Sequence, residues 1–481
     1  MQTAQLAGQF AAGTDTTVTL ALAFGSYRSE AAYNAARSLQ AGFAATQASY
    51  EQGWHAYLDS LNPAPVSVTR LGLQTQYQVA LMTLKAHEDK TFRGASIASL
   101  SIHWGQAAKA DDCCVPGYHM VWPRDLYQVA TAQLAAGDVD AANRILDYLF
   151  TVHQRPANGS FPQNTWLDGR PEFKSTQLDE IAFPIILAWQ LGRHDPTMRK
   201  RVQLSADYLV RKGPDTPQER WEEQTGFSPS TIAAQIAALV CAADIAERNG
   251  DEEAAERYRD KAKEWEEKVE DWTFTTSGPL GNGKYYERID GDGKPNNDRK
   301  IKLQNGGEHE ERAIVDAGFL ELVRLGVKRP DDPKIADSLP EVDKTLRVEV
   351  GTNHAMFHRY PDDRYGETSD GSPFTGNKKG KGRLWPLLTG ERGEYELANG
   401  RSANQHLLTM AEAANDGGYM IPEQVWDQDE PTKFGFKKGE GTDSATPLAW
   451  SMAQFVRLAV SIDTGRPVET PAVVVEHFKN P

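Results

Sequence analysis

The feature that most narrows what this chain can become is a succession of twelve helix-length segments, with long loops after alternate ones. They fall near residues 70–86, 125–136, 139–152, 178–191, 196–212, 229–249, 252–272, 311–325, 333–347, 383–397, 402–415 and 444–461. In the first, Leu73, Tyr77, Leu81 and Leu84 recur at spacings of four and three, the period of one helical face. Behind Pro229, Ile232, Ile236, Leu239 and Ala243 do the same. This order predicts an all-α fold, an α/α toroid with an inner and an outer ring of six helices around a packed core. The long loops then gather at one end. No fixed-period repeat is visible, which argues against a solenoid.

Three stretches stand outside that series. Residues 1 to about 25 alternate weakly, with Thr16, Val18, Leu20, Leu22 and Phe24 at period two, and predict one or two strands. An isolated hairpin is marginal, so these strands either lie on the main body or pair with something the chain lacks. From Ser29 to Leu61 the chain is rich in Ala with few breakers and predicts one long helix, ended by Pro63 and Pro65. Residues 95–105 are β-like, and 276–310, rich in Gly, Asp and Asn, predict a long loop or hairpin.

Charge and composition exclude several functions. The net charge is -15 with no long basic run, which argues against nucleic acid or an anionic membrane as partner. There is no run of 18 or more apolar residues to span a bilayer, and no basic-then-apolar leader at the N-terminus. Cys113, Cys114 and Cys241 match neither a zinc spacing nor a disulfide framework, and free or buried thiols are the favoured reading. Eleven tryptophans are generous, and flat rings with one polar edge suit a sugar pocket as well as a core.

The unusual residues sit in the loops. One loop runs from Gly117 through Trp122-Pro123-Arg124-Asp125 into a helix, and another is Ser160-Phe161-Pro162-Gln163-Asn164-Thr165-Trp166. A third, Arg220-Trp221-Glu222-Glu223-Gln224, precedes Ser228, a good N-cap, and Pro229 at the first helical position. Then come His358-Arg359-Tyr360-Pro361-Asp362-Asp363, Arg383-Leu384-Trp385-Pro386 and Tyr419 through Glu423-Gln424-Val425-Trp426. Each alone is more often a capping or surface feature. Several such loops, most of them leading into helices, are harder to dismiss.

Adjacent Glu222 and Glu223 repel, so one of them should resist ionisation, as a general acid must. A second carboxylate across a pocket would take a proton from water. That pair cleaves glycosidic bonds through an oxocarbenium-like transition state, and a carboxyl separation of about 6.5–9.5 Å leaves room for water and inverts the anomer.

At these loops the sequence resembles the glucoamylase family of glycoside hydrolases, family 15, and within it the prokaryotic branch that includes glucodextranases. The likeness runs from about residue 67 to 463. It implies an (α/α)6 barrel, with Glu222 of the Trp221-Glu222-Glu223 motif as general acid and Glu423, followed by Gln424, as general base. It also implies that Glu223 binds sugar, that Trp122, Arg124, Asp125, Arg359 and Asp363 grip the terminal glucose, and that Trp166 packs near the acid. Trp385, Gln424 and Trp426 join the expected binding set. The implied division is remnant strands of an N-terminal β-sandwich at 1–28, a linker helix and connection at 29–66, the catalytic domain at 67–465 and a tail at 466–481. The chain would then be part of a longer precursor whose sandwich is missing.

The branch is often extracellular or periplasmic, and its members often hold structural calcium. Asp111-Asp112 or Asp290 to Asp298 could supply oxygen ligands, and the chemistry itself needs no cofactor. Pro123 departs from the Ser or Thr common in relatives. The expected activity is exo-acting, inverting release of β-D-glucose from α-1,4-linked glucans. Alternatives are α-1,6 hydrolysis of the glucodextranase type, an (α/α)6 phosphorylase, which Glu423 argues against, and a non-catalytic sugar-binding protein.

Overall fold

A computed structural model describes residues 17–104, 117–304, 306–376, 379–414, 418–430 and 432–479. The chain divides into two compact units, Met1–Leu61 and Asn62–Pro481.

In the first unit, residues 17–25 form no strand, and Val18, Leu20, Leu22 and Phe24 are exposed. The expected strands therefore fail over the described residues. Helix α1 covers Arg28–Ala41 and α2 Phe43–Asp59, and neither buries a residue. The single helix expected here breaks at Gly42, whose φ of 81° lies where side-chain-bearing residues are strained.

The second unit is the toroid. A short helix α3 (Val66–Arg70) leads into α4 (Gln74–His87). The inner ring is α5 (Pro123–Ala136), α7 (Leu178–Gln190), α9 (Pro229–Arg248), α11 (Glu321–Arg324), α13 (Pro386–Ala398) and α15 (Ala449–Thr464). Each packs on the next, and α15 closes back on α5. Outside lie α4, α6 (Val139–Tyr148), α8 (Pro196–Lys212), α10 (Glu252–Thr273), α12 (Pro333–Leu346) and α14 (Asn404–Glu412). Inner helices are buried nearly all round, as in residues 178–188 of α7. Helix α9 is long and apolar enough to cross a membrane by composition, yet nearly all of it is buried within this unit.

The two rings start their helices differently. Outer helices α6, α8, α10 and α12 begin on Asp138, Asp195, Asp251 and Asp332, whose carboxylates accept first-turn backbone N–H groups. Inner helices α5, α7, α9, α13 and α15 begin on extended Trp122, Gln177, Ser228, Trp385 and Leu448, none of which caps its helix through its side chain. Ser228 thus holds the expected position without the expected bond, and its Oγ faces that of Ser230 at 3.5 Å. Proline at the first helical position fixes the entry of α5, α9 and α13.

Two expectations are corrected. Of the β-like stretch expected at 95–105, the described residues 95–104 form only isolated bridges, among them Ser96 with Glu88 and Ser99 with Leu448. The helix expected near 311–325 is two 3-10 turns and the one-turn α11. There Asp316 accepts the Gly318 N–H at 2.8 Å, which tightens the chain into a turn. The expected tail contains helix α16 (Ala472–Lys479), which packs on α9.

Among the described residues three antiparallel hairpins join the helices: β1 (Phe274–Thr275) with β2 (Tyr285–Tyr286), β3 (Lys300–Leu303) with β4 (Gly307–Glu310), and β5 (Arg347–Gly351) with β6 (His354–Phe357). Cys241 is buried and free in α9, while Cys113 and Cys114 lie outside the described residues.

Candidate active site

Loops that precede the inner helices meet over a cavity of about 670 Å³. Its deep walls are buried residues: Trp122, Arg124 and Asp125 at the start of α5, Arg359, Trp385 at the start of α13, and Leu448 and Trp450 at the start of α15. Its mouth is formed by the exposed residues Glu172, Phe173, Lys174, Ser175 and Gln304.

The loop carrying Glu222 and Glu223 is held from beneath. Glu219 folds back and accepts the N–H of Trp221 at 2.7 Å, and Arg288 donates to Glu219 at 2.8 Å. Arg220 lies over the Trp221 ring and reaches Glu391 of α13 and Glu321 of α11 at 3.3–3.4 Å. The Trp221 indole donates to Asp316 at 3.1 Å. Within this frame Glu222 adopts a φ of 67°, a strained value for a non-glycine residue and one that clusters at functional sites.

The two adjacent glutamates then part company. Glu222 is only partly buried, and its carboxylate accepts from Arg124 at 2.9 Å and from Gln163 at 2.7 Å. Arg124 is shared among more acids, with Asp179 and Glu180 at 3.7 Å and Asp125 at 4.0 Å. Burial pushes Glu180 well above the carboxylate range and Asp125 up to about 6, and Arg124 opposes both shifts. The side chain of Glu223 is buried and accepts from Tyr360 at 2.6–2.7 Å, with Arg288 and Arg359 at 3.4 Å. Burial raises Glu223 against the pull of those arginines. One of the adjacent pair thus resists ionisation, as expected, but the leading causes are burial and the charges of Asp363 and Glu219 rather than its neighbour.

Glu423 lines the same cavity and is buried. Its backbone N–H is fixed to Ala445 at 2.8 Å, and its carboxylate accepts from Tyr118 at 2.7 Å. Burial pushes it up to about 7, although Tyr118, Arg359 and Gln424 each favour the ionised form. Glu222, Glu423 and Tyr365 all line this one cavity. Arg359 sits in an aromatic box, within 5.2 Å of the rings of Trp221, Tyr360, Tyr365 and Trp385, and is gripped by both oxygens of Asp363 at 2.8 Å.

Of the residues expected here, Trp122, Arg124, Asp125, Trp221, Glu222, Glu223, Arg359, Trp385 and Glu423 line the cavity. Trp166, Asp363, Gln424 and Trp426 lie behind it. Trp166 packs against Trp122 and donates to Glu172 at 2.9 Å. Asp363 acts through Arg359, and Gln424 borders Glu423 at 3.4 Å. Trp426 is wholly buried under the guanidinium of Arg383, 3.7 Å from its ring centre, so a direct sugar contact is ruled out for it. Sequence reasoning missed Tyr118, Gln163, Tyr365 and Trp450. The first three stand in or just after loops already singled out, whereas Trp450 looked like one more apolar helix residue.

Among the described residues no group of three or more His, Cys, Asp or Glu could hold a metal ion. In the acidic loop, Asp290 accepts the N–H groups of Asp292 and Lys294, Asp292 accepts from Asn297, and Asp298 pairs with Arg312. Asp111 and Asp112 lie outside the described residues.

Residues 74–460 match the model of glycosyl hydrolases family 15. The chain belongs to this family. Residues 2–59 match a second model, domain N of glucodextranase. A glucoamylase of Clostridium sp. (strain G0005) is 45% identical over 460 residues, which is 95% of this chain and 62% of that protein. The crystal structure of a bacterial glucoamylase complexed with acarbose, also 45% identical, superposes with a TM-score of 0.87 over 95% of this chain and 64% of that one. The chain thus spans less than two thirds of the length of these family members. The glucoamylase of Saccharomycopsis fibuligera, 14% identical, covers 83% of this chain and 95% of that one at a TM-score of 0.57, a likeness of fold alone. The match to the bacterial glucoamylase shows the (α/α)6 barrel, and the twelve helices α4 to α15 supply it here.

Proposed function

We propose that this protein is an exo-acting, inverting α-glucosidic hydrolase that releases β-D-glucose from the non-reducing ends of α-1,4-linked glucans. The observation that carries the reading is the gradient of burial along one cavity. Its deep end is walled by Trp122, Arg124, Asp125, Arg359 and Trp385, and its mouth is exposed. A terminal sugar fits the closed end with the rest of the chain leaving through the mouth. Glu423, 1% exposed, belongs beside the buried ring. The side chain of Glu222, 29% exposed, stands nearer the solvent side, where the leaving group departs.

The roles follow. Glu222 donates its proton to the glycosidic oxygen as the bond from that oxygen to C1 breaks. Water adds to C1 from the opposite face and gives its proton to Glu423, which inverts the anomer. Arg124 and Gln163 hold the Glu222 carboxyl in place. Arg359, desolvated in its aromatic box, binds sugar hydroxyls more strongly than it would in water. The name of the Clostridium relative supports the α-1,4 linkage. The match of residues 2–59 to a glucodextranase domain supports a second reading, the same chemistry on α-1,6 links.

Proton NMR of the first product from maltose and from isomaltose tests linkage, exo-action and anomer together. β-Glucose should appear first, and faster from maltose. Glu222→Gln and Glu423→Gln should each lose about 10²–10⁴-fold in kcat. Parental rates in both variants, or α-glucose as the first product, would overturn the proposal.

A further inference from the structure

The mouth of the cavity carries an apolar ring that none of the roles above uses. Phe173 is 39% exposed, lines the cavity, and among the described residues stacks on no other aromatic side chain. Single exposed apolar residues are common and by themselves mean little. This one is held in a fixed position. Its N–H donates to Asn164 Oδ1 at 2.9 Å, and Pro171 bridges back to Thr165. The Gln163 N–H donates to the Ser175 carbonyl at 3.2 Å, and neighbouring Glu172 accepts from the Trp166 indole at 2.9 Å. The loop is thus folded onto itself, and it also supplies Gln163, which holds Glu222 at 2.7 Å. The backbone that carries the ring is therefore tied to the loop that holds the proposed proton donor, and ring and donor line the same cavity.

We infer that Phe173 is a stacking platform for the sugars on the leaving-group side of the scissile bond, and so sets the preference for longer chains. This rests on the exo-hydrolase reading. A pyranose presents an apolar face of C–H groups that packs on a flat aromatic ring, while its hydroxyls point outward. Lys174, Ser175 and Gln304, exposed along the same mouth, are placed to donate to and accept from those hydroxyls. A terminal glucose in the buried end would not reach the platform, but the chain it is cut from would. Its contribution is then absent for a substrate whose leaving group is not a sugar.

The test compares Phe173→Ala and Phe173→Trp with the parent on α-glucosyl fluoride, maltose and maltopentaose. The fluoride has no sugar to stack. Phe173→Ala should leave kcat/KM on α-glucosyl fluoride unchanged and raise KM for maltopentaose about tenfold, and Phe173→Trp should restore it. Equal losses on all three substrates, or none on any, would overturn the assignment. A binding arm is independent of turnover: calorimetric titration of maltopentaose into Glu222→Gln and into Glu222→Gln/Phe173→Ala. Weaker binding by the double variant supports the platform, and equal binding overturns it. Loss of the hydrolase reading would show separately, as a parent inactive on every substrate.

Discussion

The hydroxyl of Tyr118 donates to Oε1 of Glu423 at 2.7 Å while facing the hydroxyl of Tyr365 at 2.5 Å. Burial holds Glu423 near 7, and this hydrogen bond is the largest influence in the opposite direction. A base must be ionised to accept a proton from water, and the acid limb of kcat/KM follows the base of the free enzyme. Tyr118→Phe deletes a donor to the ionised form, so the pKa of Glu423 rises further and the acid limb moves to higher pH. Profiles of kcat/KM against pH on maltose check this. A limb that stays put or moves to lower pH would contradict the role of Glu423 as base.

Arg383 offers a separation of support from contact. Its guanidinium is wholly buried between the Trp426 ring and Asp427, and it also donates to the carbonyls of Glu367 and Thr368 at 3.0 and 2.7 Å. Arg383→Met would leave the Glu367 and Asp427 carboxylates beside it without their cation. Removing one partner of a buried pair costs about 3–5 kcal/mol. Urea unfolding should show that loss, while the KM for maltose of the folded variant stays at the parental value. A raised KM with unchanged stability would return Trp426 to the binding surface.

The contrast between Trp385 and Trp426 shows where sequence stops being informative. Both are tryptophans in loops that carry arginine or glutamate, yet one ring walls the cavity and the other lies under an arginine. Periodicity cannot distinguish them, because the choice is made by tertiary packing of β-bridges such as Leu384 with Val425. The helices were legible because large apolar residues recur at three and four along both α4 and α9, although burial follows that spacing only in α4 and runs nearly all round α9. Residues 311–325 misled because Asp316 turns its side chain onto the backbone, which competes with helix formation. The site motifs were legible as residue types. Tyr118 and Gln163 acquire meaning only when the fold brings them to Glu423 and Glu222.

Glu287, just after β2, is 1% exposed, and neither of its carboxyl oxygens has a hydrogen-bond donor among the described residues. Burial pushes it up to about 10, and the nearby carboxylates of Asp290, Glu311 and Asp292 add to the shift, while Arg312 opposes it. The folded protein therefore keeps a proton on Glu287 that the unfolded chain releases above its ordinary value of 4.5. For a carboxyl group raised in this way, the stability contribution is fully present below 4.5 and falls as pH rises toward the folded value. At pH 7 that loss amounts to roughly 3 kcal/mol, at about 1.4 kcal/mol per pH unit. Glutamine keeps the shape and removes the titration, so Glu287→Gln should gain on the parent steadily between pH 5 and 8. Urea unfolding of both proteins at pH 5, 6.5 and 8 measures the difference directly. A gap that stays constant with pH would mean that Glu287 is already ionised in the fold, with a cation or donor satisfying it.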